Sequence, residues 1–68
     1  MPGTYKKIEV VGTSPNSFAE ATRNAVAEAA KSVRKMSWFE VVEQRGAIQD
    51  GKVSEFQVTL RVGFKIES

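Results

Sequence analysis

The sequence predicts an α+β fold with the element order β-α-β-β, in which a three-stranded antiparallel sheet of order 1-3-2 packs around one helix. Two observations carry this prediction. One segment places apolar side chains at spacings of three and four residues, which is the spacing of one helix face. The segments on either side alternate apolar and polar residues, as strands with one buried face do. At 68 residues the chain is expected to form a single small domain over residues 1–68.

The first strand is predicted over residues 4–11, where Ile8 and Val10 share one face and Tyr5 and Lys7 share the other. Residues 12–16 read Gly-Thr-Ser-Pro-Asn. They are predicted to form a turn, because glycine permits unusual backbone angles and proline stops strand pairing.

A capping box marks the start of the helix. The Ser17 hydroxyl can accept the Glu20 backbone N–H, and the Glu20 side chain can return to the Ser17 N–H. The helix is predicted to run to about Lys35 or Met36, with Arg34 and Lys35 in its last turn, where cations complement the helix dipole. Its apolar stripe comprises Phe18, Ala21, Ala25, Ala29, Val33 and Met36.

Two further strands are predicted over residues 37–46 and 53–66, and Asp50-Gly51 between them is typical of a two-residue β-hairpin turn. That turn sets the register of the hairpin. The predicted partners are Trp38 and Gly63, Phe39 and Val62, Glu40 and Arg61, Val41 and Leu60, and Gln44 and Gln57. A right-handed crossover leaves a gap beside the first strand that the last strand fills, which gives the order 1-3-2.

Trp38, the single tryptophan of the chain, falls on the face opposite the core. Because side chains alternate along a strand, Phe39 and Val41 face the helix, while Trp38 shares the other face with Glu40 and Val42. One helix covers one face of the sheet, and nothing in the chain covers the other. An aromatic residue exposed in this way indicates a ligand or partner chains.

The composition excludes several classes of chemistry. The chain has no cysteine and no histidine, so it has no thiolate nucleophile, no serine–histidine catalysis and none of the usual zinc ligands. We expect no enzymatic activity and no metal site. No stretch approaches the ~20 apolar residues of a membrane span and no signal-peptide pattern is present, so a cytoplasmic location without membrane contact is expected. Because so small a domain commonly needs partner chains for stability, we expect an oligomer.

Three segments of the sequence resemble the dodecin family of small flavin-binding proteins. They are residues 5–14 (YKKIEVVGTS), residues 38–41 (WFEV) followed by Arg45-Gly46, and residues 56–64 (FQVTLRVGF). The resemblance implies a hollow homododecamer that binds flavin and is not an enzyme. Close stacking on an indole permits rapid electron transfer to the excited flavin, so bound flavin should be non-fluorescent, which fits storage and protection from light. In the family, flavins lie between tryptophans of two-fold-related subunits and a glutamine binds the isoalloxazine edge. These positions match Trp38 and Gln57.

The resemblance also implies the identity of the ligand. Arg45 matches bacterial members, which favour FMN, and riboflavin is also expected to bind. Arg45 is therefore a candidate phosphate ligand, because guanidinium presents a planar fork to phosphate. Lys65 is included as a second candidate ligand. Some bacterial members bind coenzyme A at a separate site, but no residue here can be assigned to it.

The predicted register separates Trp38 from Gln57 by six residues along the strands, which is about 20 Å at ~3.3 Å per residue. One flavin cannot reach both residues of one chain, so we expect the two around any one flavin to come from different chains. Alternatives stay open for each candidate. Trp38 could fill a subunit interface without a ligand, Gln57 and Lys65 could be solvated, and Arg45 could pair with Glu43 or Glu55.

Three other functions compete with flavin storage. The first is a carrier for coenzyme A or a similar nucleotide, with flavin secondary. The second is RNA binding on an open sheet, which requires several aromatic residues among basic ones. It is disfavoured because Glu9, Glu40 and Glu55 interrupt that face and because the net charge is only +2. The third is a proton-transfer enzyme that uses Glu40 or Glu43. It is disfavoured because the sequence has no histidine, cysteine or metal-ligand cluster to assist such a carboxylate.

Overall fold

The computed structural model describes residues 3–66 and contains one helix and one sheet. The elements are β1 (Tyr5–Ser14), α1 (Phe18–Ala29), β2 (Met36–Gln49) and β3 (Lys52–Lys65). β3 lies between β1 and β2 and is antiparallel to both. The predicted fold class and the sheet order 1-3-2 are therefore confirmed. α1 is not long and apolar enough to cross a membrane.

The core lies between α1 and the central strand. Alternate residues of β3 point at the helix and are fully or almost fully buried. The helix packs its buried alanines against them. The small side chains let helix and sheet approach closely. The buried apolar residues are Ala21, Ala25, Ala29, Val58, Leu60 and Val62.

Gly12 marks the point of closest approach between helix and sheet. A Cβ atom at Gly12 would lie 2.1 Å from the Ala21 carbonyl oxygen and 2.6 Å from the Ala25 Cβ. β1 continues through Gly12 to Ser14, so the predicted turn over residues 12–16 is wrong in its first half. Glycine is needed here for space against the helix, not for a turn.

The start of α1 was predicted only in part. The Ser17 hydroxyl accepts the Glu20 backbone N–H at 3.0 Å, as expected of a capping residue. The predicted hydrogen bond from the Ser17 N–H to the Glu20 carboxylate does not form. The Ser17 N–H donates instead to Ser14 Oγ, at 3.3 Å. Glu20 accepts hydrogen bonds from the Ser14 hydroxyl and from Asn16 Nδ2. These donors hold the pKa of Glu20 below its usual value.

The helix is shorter than the sequence predicts. α1 ends at Ala29, and the predicted extension to Lys35 or Met36 is wrong. Residues 30–33 close the helix with short-range backbone hydrogen bonds. Lys35 then adopts a left-handed conformation (φ 59°), which turns the chain into β2 at Met36. Arg34 and Lys35 therefore lie beyond the last helical turn.

The hairpin register was predicted correctly at both ends and wrongly in its middle. Asp50 (φ 53°) and Gly51 (φ 74°) form the expected turn, which requires left-handed backbone at both positions. One irregularity near the turn shifts β2 relative to β3 by one residue, and a second between Val41 and Glu43 shifts it back. Between the two, Gln57 lies opposite Arg45, not opposite Gln44.

Part of β2 has no cover from the helix. α1 packs on β1 and β3, so Phe39 and Val41, which were predicted to face the core, are each 49% exposed. They lie on the helix side of the sheet, beside a groove that α1 lines with Ala19, Thr22 and Val26. The helix is too narrow and too far to one side to bury all three strands.

Candidate functional site

The sheet face opposite α1, here called the outer face, carries every candidate site residue. It consists of Tyr5, Lys7, Glu9, Val11 and Thr13 on β1, of Trp38, Glu40, Glu43 and Arg45 on β2, and of Gln57, Thr59, Arg61, Gly63 and Lys65 on β3. The irregularity at Val42 matters for this set. It changes the alternation of β2, so that Arg45 joins the face that Trp38 occupies.

The Trp38 indole lies across the backbone of Gly63. A Cβ atom at Gly63 would come within 2.3 Å of Trp38 Cζ2 and 2.4 Å of Cε2, so only glycine leaves room for the ring. Tyr5 packs beside the indole with a ring centroid separation of 5.2 Å and an interplanar angle of 58°. The backbone and Tyr5 thus support the ring from one side, and Trp38 remains 38% exposed.

Glu40 joins the indole to β1. The Trp38 Nε1–H donates to Glu40 Oε2 at 2.9 Å, and Lys7 Nζ lies 2.7 Å from the same oxygen. The hydrogen bonds from Lys7 and Trp38 lower the pKa of Glu40, with a smaller contribution from the charge of Arg61. Arg61 lies opposite Glu40 as predicted, but its guanidinium contacts Glu9, with Nε 3.3 Å from the carboxylate.

Gln57 and Arg45 are neighbours on the outer face. They are register partners across β2 and β3, and Thr13 of β1 flanks Gln57 on its other side. Gln57 Nε2 donates to Glu55 Oε1 at 2.8 Å. Arg45 Nη1 lies 3.9 Å from Glu43 Oε1, and its side chain is 64% exposed. An exposed ion pair of that length contributes little free energy, so the guanidinium can exchange it for another anion.

The candidate residues therefore form two groups at opposite ends of the outer face. Lys65 lies opposite Tyr5, two residues beyond Gly63, so it belongs with Trp38. Gln57 lies six residues from Gly63 along β3, or about 20 Å at ~3.3 Å per residue. We call the first group the tryptophan end (Tyr5, Trp38, Gly63 and Lys65) and the second the glutamine end (Thr13, Arg45 and Gln57).

Sequence reasoning missed the contacts that hold the indole. Glu40 was predicted to pair with Arg61 and Lys7 was given no partner, whereas both belong to the support of Trp38. The alternation of the two outer strands already put Tyr5, Lys7, Trp38 and Glu40 on one face. What the sequence lacked was the lateral alignment of β1 with β2, because these strands do not pair with each other.

The arrangement offers flat apolar stacking at one end and hydrogen bonding with a cation at the other. It offers no evident metal site: within residues 3–66, no group of three or more aspartate, glutamate, histidine or cysteine side chains could hold an ion.

Comparison with known proteins agrees with this architecture. The sequence model of the dodecin family matches residues 4–67. The dodecin of Thermus thermophilus is 48% identical over 67 residues, which cover 98% of this chain and 97% of the relative. The solved structure of dodecin from Streptomyces coelicolor is 50% identical and superposes with a TM-score of 0.93, covering 97% of this chain and 94% of that one.

A more distant relative, the calcium dodecin of Mycobacterium tuberculosis, is 36% identical over 62 residues, or 91% of this chain and 87% of the relative. The family match spans almost the whole chain, and the solved relative shares its fold. The chain therefore belongs to the dodecin family.

Proposed function

We propose that this chain is a flavin storage protein that binds FMN, and also riboflavin, between the subunits of a hollow homododecamer in the cytoplasm. The observation that carries the proposal is the Trp38 indole, which packs against Gly63 and is exposed on the outer face. A flat apolar ring in this setting suits stacking of an isoalloxazine. Aromatic pairs contribute roughly 0.5–1.5 kcal/mol beyond the area they bury.

The polar groups of the outer face suit the rest of the ligand. The Gln57 amide has both a donor and an acceptor, which match the mixed edge of the flavin pyrimidine ring. Arg45 beside it can bind the FMN phosphate through a charge-assisted hydrogen bond. Lys65 offers a second cation at the tryptophan end.

The separation of the two ends requires a second chain. Because about 20 Å divides Trp38 from Gln57 within one chain, each flavin would take its stacking face from one subunit and its amide from another. Such a site has the tryptophan end of one chain facing the glutamine end of its partner. Assembly then creates the binding site, and an isolated subunit holds only half of it.

The apolar surface left open within one chain supports self-association. Phe39 and Val41 are half exposed on the helix side of β2, and Ile48 and Val53 are 75% and 60% exposed near the hairpin turn. Exposed large apolar side chains at these two places along the hairpin suit contacts with other chains. Dodecins are oligomeric, and the count of twelve is the family expectation.

Storage follows from the stacking. A flavin excited by light is a strong oxidant and takes an electron from the adjacent indole, which then recovers it, so the absorbed energy is released as heat. Bound flavin would therefore be non-fluorescent and protected from light-driven reactions. The dodecin family consists of small binding and storage proteins, and we propose no catalytic role. The calcium named for the Mycobacterium tuberculosis relative is not extended to this chain, whose described residues lack a cluster of carboxylates.

The test is a titration of ligand-free protein with FMN and riboflavin, followed by flavin fluorescence and by equilibrium dialysis. We expect saturable quenching that is lost in Trp38→Ala. Arg45→Ala should weaken FMN by about tenfold, the lower part of the range for a hydrogen bond to a charged group, and should leave riboflavin unchanged. Arg23→Ala, which removes a cation from the helix, serves as the control. Binding of coenzyme A without binding of either flavin would favour the nucleotide-carrier alternative.

A further inference from the structure

The outer face contains a contact that flavin stacking alone does not explain. The indole N–H of Trp38 does not point to solvent but donates to Glu40, two residues along the same strand. Residues i and i+2 share a face of a strand, so this contact is available without any distortion. Glu40 is in turn held by Lys7 from β1, on the far side of the central strand.

Together these contacts fix the indole at three places. The Gly63 backbone lies under the ring, Tyr5 packs at a tilt against it, and the carboxylate of Glu40 holds the N–H. A tryptophan side chain that is exposed on a strand otherwise exchanges between rotamers, and a ligand that stacks on it must overcome that freedom. Immobilising one side chain on binding costs roughly 0.5–1.5 kcal/mol.

We propose that Glu40 is a positioning residue that, with Lys7, fixes the Trp38 indole in the stacking orientation before any ligand binds. The affinity part of this proposal rests on the proposed flavin function, whereas the orientation of the indole is a property of the protein alone. The two parts can therefore be tested separately.

The charges around Glu40 predict how the contact responds to pH. Lys7 faces the carboxylate from β1, and Arg61 faces it from β3, where Glu9 partly neutralises the guanidinium. Both neighbours are cations that favour the ionised carboxylate, and so does the Trp38 N–H. The carboxylate therefore stays ionised at mildly acidic pH, and protonation at lower pH weakens its hold on Trp38.

The first experiment reads the indole directly in the ligand-free, assembled protein. Because the chain has one tryptophan, a ¹H–¹⁵N spectrum contains one indole N–H resonance. We expect this resonance to shift with a single inflection below pH 4.5, the ordinary value for glutamate. Glu40→Gln should abolish the inflection. Glu9→Gln, which removes a carboxylate of the same face that does not contact Trp38, should retain it. A resonance that titrates identically in Glu40→Gln would overturn the proposal.

The second experiment measures FMN affinity by dialysis. Glu40→Ala should weaken binding about threefold to tenfold, which corresponds to the loss of one pre-ordered side chain. Glu40→Gln, whose amide oxygen can still accept the indole N–H, should recover most of the loss. Equal affinity of Glu40→Ala and the unchanged protein would refute pre-orientation. If the unchanged protein does not bind flavin at all, the proposed function fails, and the resonance experiment still decides the role of Glu40.

Discussion

Gly63→Ala is the smallest change that should disturb the candidate site. The added methyl would lie 2.3–2.5 Å from three atoms of the Trp38 ring. Carbon atoms pack at about 3.5 Å, so the indole must move outward by about 1 Å or rotate away. The indole is rigid, and its N–H is held at 2.9 Å by Glu40. Any such movement therefore lengthens that hydrogen bond and tilts the stacking face.

The effect on folding should be small compared with the effect on binding. Alanine in place of a strand glycine gains roughly 0.5–1 kcal/mol, and displacing a packed side chain costs about 1–3 kcal/mol. The two oppose each other, so the free energy of unfolding should fall by no more than about 2.5 kcal/mol. Stacking of a flat ring is sensitive to tilt, and FMN affinity should fall at least tenfold, or about 1.4 kcal/mol.

The assay combines FMN dialysis, flavin quenching and chemical unfolding of the same sample. Gly46→Ala is the matched control, because a Cβ there meets only the Glu55 carbonyl oxygen, at 3.0 Å, and no part of Trp38. We expect the control to bind FMN normally. If Gly63→Ala binds FMN with unchanged affinity and keeps the indole N–H resonance in place, the indole does not rest on Gly63 and the reasoning fails.

Three further changes test the fold, the cap and the assembly. Gly12→Ala should destabilise the fold by more than about 3 kcal/mol in chemical unfolding. The added Cβ would overlap the Ala21 backbone carbonyl, and relieving that overlap requires the helix or β1 to shift as a whole. Hydrogen bonds from Ser14 and Asn16 lower the pKa of Glu20 below its ordinary value of 4.5. The stability they contribute is present above the unfolded-state pKa and is lost as pH falls through the lowered value, so Glu20→Gln should flatten the acid limb of a thermal-unfolding series. Phe39→Asp should convert the oligomer to smaller species in sedimentation velocity, since it places a charge in an apolar interface; an unchanged sedimentation coefficient would exclude that face from the assembly.

The sequence was sufficient to predict the fold class and the pairing of Trp38 with Gly63. Strand alternation and the Asp50-Gly51 turn predicted the pairing of Trp38 with Gly63 because the two irregularities in β2 and β3 cancel before that point. The pairing of Gln57 was wrong because it lies between them. A bulge has no reliable sequence signal when both neighbouring residues, here Val41 and Val42, suit either face.

Other features could not be read from local patterns. The apolar spacing of the helix continues to Met36, but the chain must reverse to begin β2, and tertiary geometry ends the helix at Ala29. The link from Lys7 to Glu40 joins strands that are not paired, so only the twist and spacing of the whole sheet bring them together.

The most direct test of the central claim, that each flavin site combines two chains, is complementation between two inactive variants. Trp38→Ala lacks the stacking face and Gln57→Ala lacks the amide, so each alone should bind FMN weakly. When the two are coexpressed and assemble together, some sites combine the intact Trp38 of one chain with the intact Gln57 of another. We predict that FMN quenching at full affinity returns in a fraction of the sites of the mixed oligomer. If mixing restores nothing although both variants enter one oligomer, Trp38 and Gln57 of a site belong to the same chain, and the account is wrong.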